Sequence, residues 1–143
     1  MLLGEYRHTL DDKNRLAIPS KFRKLLQGGL VLTKGLDECL FLYPKAAWQR
    51  LAERIANLPI SQSRSRAFSR MMLGGAMEET LDGQGRVVIP DYLREYAGLG
   101  KGIIVAGLYD RLEVWDADRW QQYKKQTEKE SSHIAETLAE MGV

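Results

Sequence analysis

One motif occurs twice in this chain, and nothing else in the sequence constrains its fold as strongly. Thr9-Leu10-Asp11-Asp12-Lys13-Asn14-Arg15-Leu16-Ala17-Ile18-Pro19 recurs 71 residues later as Thr80-Leu81-Asp82-Gly83-Gln84-Gly85-Arg86-Val87-Val88-Ile89-Pro90. The correspondence runs on through Phe22-Arg23 and Leu93-Arg94. After one inserted residue it continues through Gly35-Leu36 and Gly107-Leu108. Leu40, Leu42, Tyr43 and Trp48 then match Leu112, Val114, Trp115 and Trp120. A repeat of this length within 143 residues predicts two copies of one supersecondary unit sharing a core.

Each copy carries the same order of signals. Residues 4–10 and 75–81 read as short strands entering a turn. Asp11 to Asn14 and Asp82 to Gly85 supply turn chemistry, because Asn and Gly both tolerate positive φ. Arg15–Ile18 and Arg86–Ile89 are apolar or β-branched and stop at a proline, as strands do. Ser20 and Asp91 are placed to cap short helices over 20–27 and 91–97. Val31-Leu32-Thr33 with Leu40–Tyr43, and Ile103-Ile104-Val105 with Leu112–Trp115, predict hairpins turning at residues 35–38 and 107–110. A helix closes each copy. Pro44 suits the first helical position of one, with Trp48, Leu51, Ala52 and Ile55 at helical spacing, and Asp116 caps the other. Past Pro59 the first copy adds a helix over 63–73, with Phe68, Met71 and Met72 inward. Residues 124–143 are densely charged, with Ile134, Leu138 and Met141 as a thin apolar stripe, and predict a helix that packs on a neighbour or frays.

Charge separates the copies that pattern makes alike. Residues 1–74 hold 13 Lys and Arg against 6 Asp and Glu, a net +7, whereas residues 75–143 hold 8 against 13, a net −5. Only the first half is suited to meet a polyanion. Around its turn stand Arg7, His8, Lys13, Asn14 and Arg15, all able to donate to phosphates or base edges. The second turn is flanked by Glu78 and Glu79, whose carboxylates repel DNA. The shared Asp-x-x-x-Arg element, Asp11 with Arg15 and Asp82 with Arg86, has a simpler reading as well. The Asp accepts backbone N–H bonds and pairs with the Arg, so both pairs staple turns.

The run Gly4-Glu5-Tyr6-Arg7-His8-Thr9-Leu10-Asp11-Asp12-Lys13-Asn14-Arg15-Leu16-Ala17-Ile18-Pro19-Ser20-Lys21-Phe22-Arg23 resembles the N-terminal signature of the MraZ family. Leu73-Gly74-Gly75-Ala76 leading into Leu81–Arg86 resembles that family's second repeat. The resemblance spans about residues 1–123. It implies an α+β fold of two tandem swapped-hairpin, SpoVT-AbrB-type units forming a pseudo-two-fold, β-barrel-like body with flanking helices. The implied organisation is a DNA-reading copy at 5–47 followed by a helical segment at 45–73. A scaffold and oligomerisation copy follows at 76–119, then a charged helix or tail at 120–143. The resemblance further implies a nucleoid-associated transcriptional regulator of the division and cell-wall gene cluster, its own promoter included, and assembly into rings. The expected partners are therefore double-stranded DNA carrying direct repeats and further copies of the chain in a cyclic homo-oligomer. Asn14 stands where relatives usually have Gly, and Asn is the non-glycine residue best able to hold the turn.

Other classes find little support. His8, His133 and Cys39 lack metal-ligand spacing, and no phosphate loop or nucleophile elbow occurs. No catalytic residue, metal, cofactor or small-molecule substrate is expected, and the chain is not expected to be an enzyme. A single cysteine, no secretory leader and no run of about 20 apolar residues point to the cytoplasm and away from membranes. Arg64, Arg66 and Arg70 read better as a solvated helix face than as a second basic patch. Trp48 and Trp120 read as core or interface anchors. The alternative function is a protein-interaction module resembling swapped-hairpin antitoxins.

Overall fold

The computed structural model describes residues 1–143. Its strands are β1 (Leu2–Thr9), β2 (Arg15–Ala17), β3 (Leu30–Lys34), β4 (Leu40–Pro44), β5 (Met77–Glu79), β6 (Arg86–Val88), β7 (Gly102–Tyr109) and β8 (Leu112–Asp116). Its helices are α1 (Ser20–Leu26), α2 (Lys45–Ala56), α3 (Ser63–Met72), α4 (Asp91–Ala97), α5 (Ala117–Lys129) and α6 (Ser131–Leu138), followed by a 3₁₀ turn at Ala139–Met141. The fold is α+β, as expected.

Six strands form one antiparallel sheet in the order β1-β7-β8-β4-β3-β5, and β2 pairs with β6 in a separate two-stranded ribbon. That order reads identically when every strand is replaced by its counterpart from the other copy. The leading strand of each copy therefore pairs with a strand of the other: β1 with β7, and β5 with β3. The two copies meet again between β4 and β8 and within the ribbon. The sheet is open, with β1 and β5 as its edges, so the expected barrel-like closure is not what forms. The physical reason lies in the repeated turns, which lead each chain off its edge strand into the ribbon instead of onward around a cylinder.

Side-chain alternation along the central strands defines two cores. Leu30, Leu32, Leu40, Leu42, Ile103, Val105, Leu112 and Val114 face one side and pack with Leu16, Ile18 and Phe22 and their counterparts Val87, Ile89 and Leu93. The intervening Phe41, Tyr43, Ile104 and Trp115 face the other side, against Ala47, Ile55, Met72 and Ala117 of the longer helices. Both faces of these strands are thus covered, and their sequences run nearly continuously apolar. Phe68, Met71, Trp48 and Trp120 pack on the second core, as their spacing predicted. The buried Thr33 hydroxyl donates to the Met72 carbonyl at 2.7 Å and ties α3 to the sheet.

Several local expectations are corrected. Neither Ser20 nor Asp91 caps its helix. Pro19 and Pro90 occupy the cap positions with extended backbones, and the Asp91 carboxylate pairs with Arg94 instead. Pro44 likewise ends β4 and precedes the first helical residue. Asp116 does cap α5, accepting from the Arg119 amide at 3.4 Å. The second hairpin turns at Asp110-Arg111 and not at 107–110, because β1 pairs along β7 as far as Tyr109. A Cβ on Gly107 would lie 2.7 Å from the Leu2 carbonyl carbon and the Leu3 amide, so glycine permits that close passage. The C-terminal stripe is helical, but Ile134, Leu138 and Met141 all remain exposed.

Candidate nucleic-acid interface

The repeated turns flank the β2–β6 ribbon at its two ends and have the same internal geometry. Asp11 Oδ1 accepts the Lys13 and Arg15 amides, both at 2.9 Å, and Asp11 Oδ2 accepts Arg15 Nε at 2.6 Å. Asp82 Oδ1 accepts the Gln84 and Arg86 amides at 2.9 Å, and its Oδ2 accepts Arg86 Nε at 2.8 Å. These amide bonds hold both carboxyls below their ordinary range, with the side-chain bond from the arginine adding to the effect. The fourth turn residue is left-handed in each copy, Asn14 at φ 58° and Gly85 at φ 74°. The asparagine therefore preserves the turn, as expected.

The ribbon is stitched between copies. The Ile18 amide donates to the Gly85 carbonyl at 3.0 Å, and the Ile89 amide donates to the Asn14 carbonyl at 2.9 Å. Leu16 and Val87 point inward and are fully buried. The outward positions are then Arg15 and Ala17 on one strand and Arg86 and Val88 on the other. Register sets Arg15 opposite Val88 and Ala17 opposite Arg86, so each end of the ribbon joins an arginine to a small or branched apolar residue. With its Nε engaged by Asp11, Arg15 retains both Nη groups for a partner.

Lys13, Asn14 and Arg15 therefore share one end of the ribbon with Asp11. Lys13 is exposed, and the other three are partly exposed. His8 and Arg7 belong to edge strand β1 and point to opposite sides of it. His8 is on the side of Tyr6 and Leu10, where burial and the neighbouring Arg23 lower its pKa. Arg7 is on the side of Glu5, whose carboxylate accepts Lys124 Nζ of α5 at 2.8 Å. The sheet thus separates Arg7 from the layer that contains the ribbon. Glu78 and Glu79 occupy the register positions on β5 that Arg7 and His8 occupy on β1. Burial raises the Glu79 pKa.

Two contributors to this layer escaped the sequence reading. Arg23 of α1 donates from Nε to the Ile18 carbonyl at 2.9 Å, and Arg94 of α4 repeats the bond to the Ile89 carbonyl at 3.3 Å. Arg23 also lies over Gly85, where a Cβ would come within 2.3 Å of its Nε. Their recurrence at the repeat spacing was the available signal. The second is Val88, a 48% exposed valine on a strand read only as apolar. Elsewhere, Cys39 is buried, its Sγ donates to the Leu36 carbonyl, and burial pushes its thiol pKa far up, as suits a small core residue. Arg66 donates from Nη1 to the Ile60 carbonyl. No helix is long and apolar enough to cross a membrane.

Comparison with known proteins matches this arrangement to a family. A family model described as "MraZ protein, putative antitoxin-like" matches the chain twice, over residues 1–71 and 72–141. A protein of Natranaerobius thermophilus named Transcriptional regulator MraZ is 44% identical over 143 residues, covering all of both chains. Proteins of the same name from a Roseiflexus species and from Moorella thermoacetica are 46% and 43% identical, with 99% and 100% of each chain covered. With both repeats matched and identity sustained over the full length, the chain belongs to the MraZ family.

Proposed function

We propose that this chain is a transcriptional regulator that binds double-stranded DNA sequence-specifically through the outward face of the β2–β6 ribbon. Its relatives are named as regulators of transcription, a non-enzymatic family. The single observation that carries the proposal is the ribbon itself. It is short and two-stranded, it is backed by a buried core, and it presents Arg15 and Arg86 already oriented by carboxylates. A two-stranded ribbon fits the major groove, and an arginine with free Nη groups there pairs with a guanine edge. Orienting the guanidinium in advance lowers the entropy lost when it binds.

The Arg15 end is the principal reader in this proposal. Lys13 and His8 position the protein on phosphates, and Asn14 with Arg15 discriminates bases. Arg7, on the other side of the edge strand, meets a phosphate only where the duplex runs past the sheet. The second copy, flanked by Glu78 and Glu79, is chiefly scaffold and oligomer contact. Copies join head to tail in a ring that reads direct repeats, and the protein acts in the cytoplasm, at the nucleoid, on the division and cell-wall gene cluster and its own promoter. No cofactor enters this function. The family description also favours a second reading, a binding module for another protein.

Fluorescence anisotropy with the duplex upstream of the chain's own gene separates the two. A DNA reader binds that duplex more tightly than a scrambled one, and log K falls linearly with log salt. Equal, weak binding to both duplexes would end the DNA reading and leave the protein-binding module.

A further inference from the structure

Val88 is hard to account for by packing. Its strand neighbours Val87 and Ile89 are buried to about 1% exposure, while Val88 itself is 48% exposed on an outward face otherwise made of two arginines and an alanine. It sits directly opposite Arg15, so the two Cβ atoms stand about 5 Å apart on the same side of the ribbon. Its counterpart in the repeat, Ala17, lies opposite Arg86 with only one methyl group. The two ends of the ribbon thus differ in reach as well as in charge.

We infer that Val88 reads thymine, packing its branched side chain on the 5-methyl group of a thymine beside the base pair that Arg15 engages. This rests on the proposal that the ribbon enters a DNA groove. Valine has no hydrogen-bonding group, and the thymine methyl is the one apolar feature that the four base pairs display in the major groove. Arg15 and Val88, side by side, then read adjacent positions by different chemistry, a donor fork and an apolar surface. The shorter Ala17 cannot bring the same surface to the Arg86 end. The contact makes specificity depend on both copies, because Arg15 comes from the first and Val88 from the second.

The test uses the full chain and a duplex selected from a random-sequence library by the wild-type protein. Each thymine is replaced in turn by deoxyuridine, which removes only the methyl group. Wild type should lose roughly fourfold in affinity at one thymine per bound repeat, the worth of one buried methyl. Val88→Ser should bind the parent duplex more weakly and lose nothing further at that position. Since the side chain is exposed, the substitution should leave the fold intact, and Val88→Asn, which likewise carries no methyl group, serves as a second variant if serine weakens the strand. Restoring the methyl as 5-methylcytosine, opposite guanine, should recover part of the wild-type affinity relative to unmodified cytosine. An unchanged deoxyuridine penalty in both Val88 variants, or no penalty at any thymine in wild type, overturns the inference while DNA binding stands. Failure of the library to yield any preferred duplex overturns the proposed function instead.

Discussion

Arg86 Nη1, from the second copy, lies 4.0 Å from Asp11 Oδ2 of the first, while its Nε remains bonded to its own Asp82. The two turns are thereby coupled across the ribbon, and Asp11 is their common point. It accepts two amides and Arg15 Nε and also faces the second guanidinium. Asp82 has only the equivalents of the first three.

Asp11→Ala should therefore lower the melting temperature more than Asp82→Ala. Both carboxyls have folded-state pKa values below 3.8, so the stability they contribute is complete above that pH. It is lost as pH falls below 3.8 through the lowered values. Melting temperatures of wild type and both variants should converge in strong acid. Equal losses at neutral pH would mean that the 4.0 Å contact couples nothing.

Arg15→Ala should cost about 1–3 kcal/mol at the preferred duplex and less on random DNA. Arg86→Ala should cost less, because Lys13 and Val88 lie at the Arg15 end and Glu78 and Glu79 flank the second copy. Titrations of both folded variants decide between the two ends of the ribbon. Matching losses would make the two arginines equivalent readers.

Lys13→Gln should behave differently, weakening all sequences nearly equally. Its ammonium is exposed at the turn tip and suits a phosphate better than a base edge. The slope of log K against log salt should become shallower by roughly one unit. A slope that does not change would show that Lys13 stays clear of the backbone.

Gly85 and Asn14 occupy equivalent left-handed positions but should tolerate change unequally. Gly85→Ala meets two penalties, a positive φ and the Arg23 guanidinium that covers the site, for a loss of about 1–2 kcal/mol. Asn14→Gly keeps the turn and should stay within roughly 0.5 kcal/mol of wild type. Urea denaturation measures both, and a neutral Gly85→Ala would mean that Arg23 moves aside without cost.

The repeat made the two turns, the ribbon strands and the order of elements legible before any coordinates. Turn chemistry depends on residues four apart, so Asp11 with Arg15 and Asp82 with Arg86 could be paired from spacing alone. Partner choice between copies could not, because alternation says which side chains share a face and not which strand lies alongside. Only the family resemblance implied swapped hairpins; the particular pairing of β1 with β7 and β5 with β3 was not legible in the residues, nor was the extension of β7 to Tyr109 or the role of Gly107. The helices do start at Ser20 and Asp91, but neither residue caps its helix, because a proline already holds each cap position in an extended conformation. Val88 was missed for a related reason. The run Arg86–Ile89 was read only as apolar or β-branched, without asking which of its residues a strand of period two must turn out.

The last expectation concerns assembly. One chain already contains both halves of the exchanged sheet and both strands of the ribbon, so no second copy is needed to complete either. Association between such chains is free to be head to tail, and heterologous contacts that close produce rings. The charge inversion between equivalent strand positions, Arg7 on β1 against Glu78 on β5, gives opposite edges of the sheet unlike character, which favours unlike surfaces meeting. Surface charge of this kind adds little affinity and chiefly selects orientation. Successive copies in a ring present their Arg15 ends in the same sense, so the sites they read should run in one direction along the duplex. To meet one face of the DNA, those sites should recur about every 10–10.5 base pairs. Native mass spectrometry should find a closed homo-oligomer. Gel shifts should show strong binding to direct repeats at that spacing and a marked loss when about half a turn, five base pairs, is inserted. A monomer at working concentration, or undiminished binding to inverted sites, would rule this assembly out.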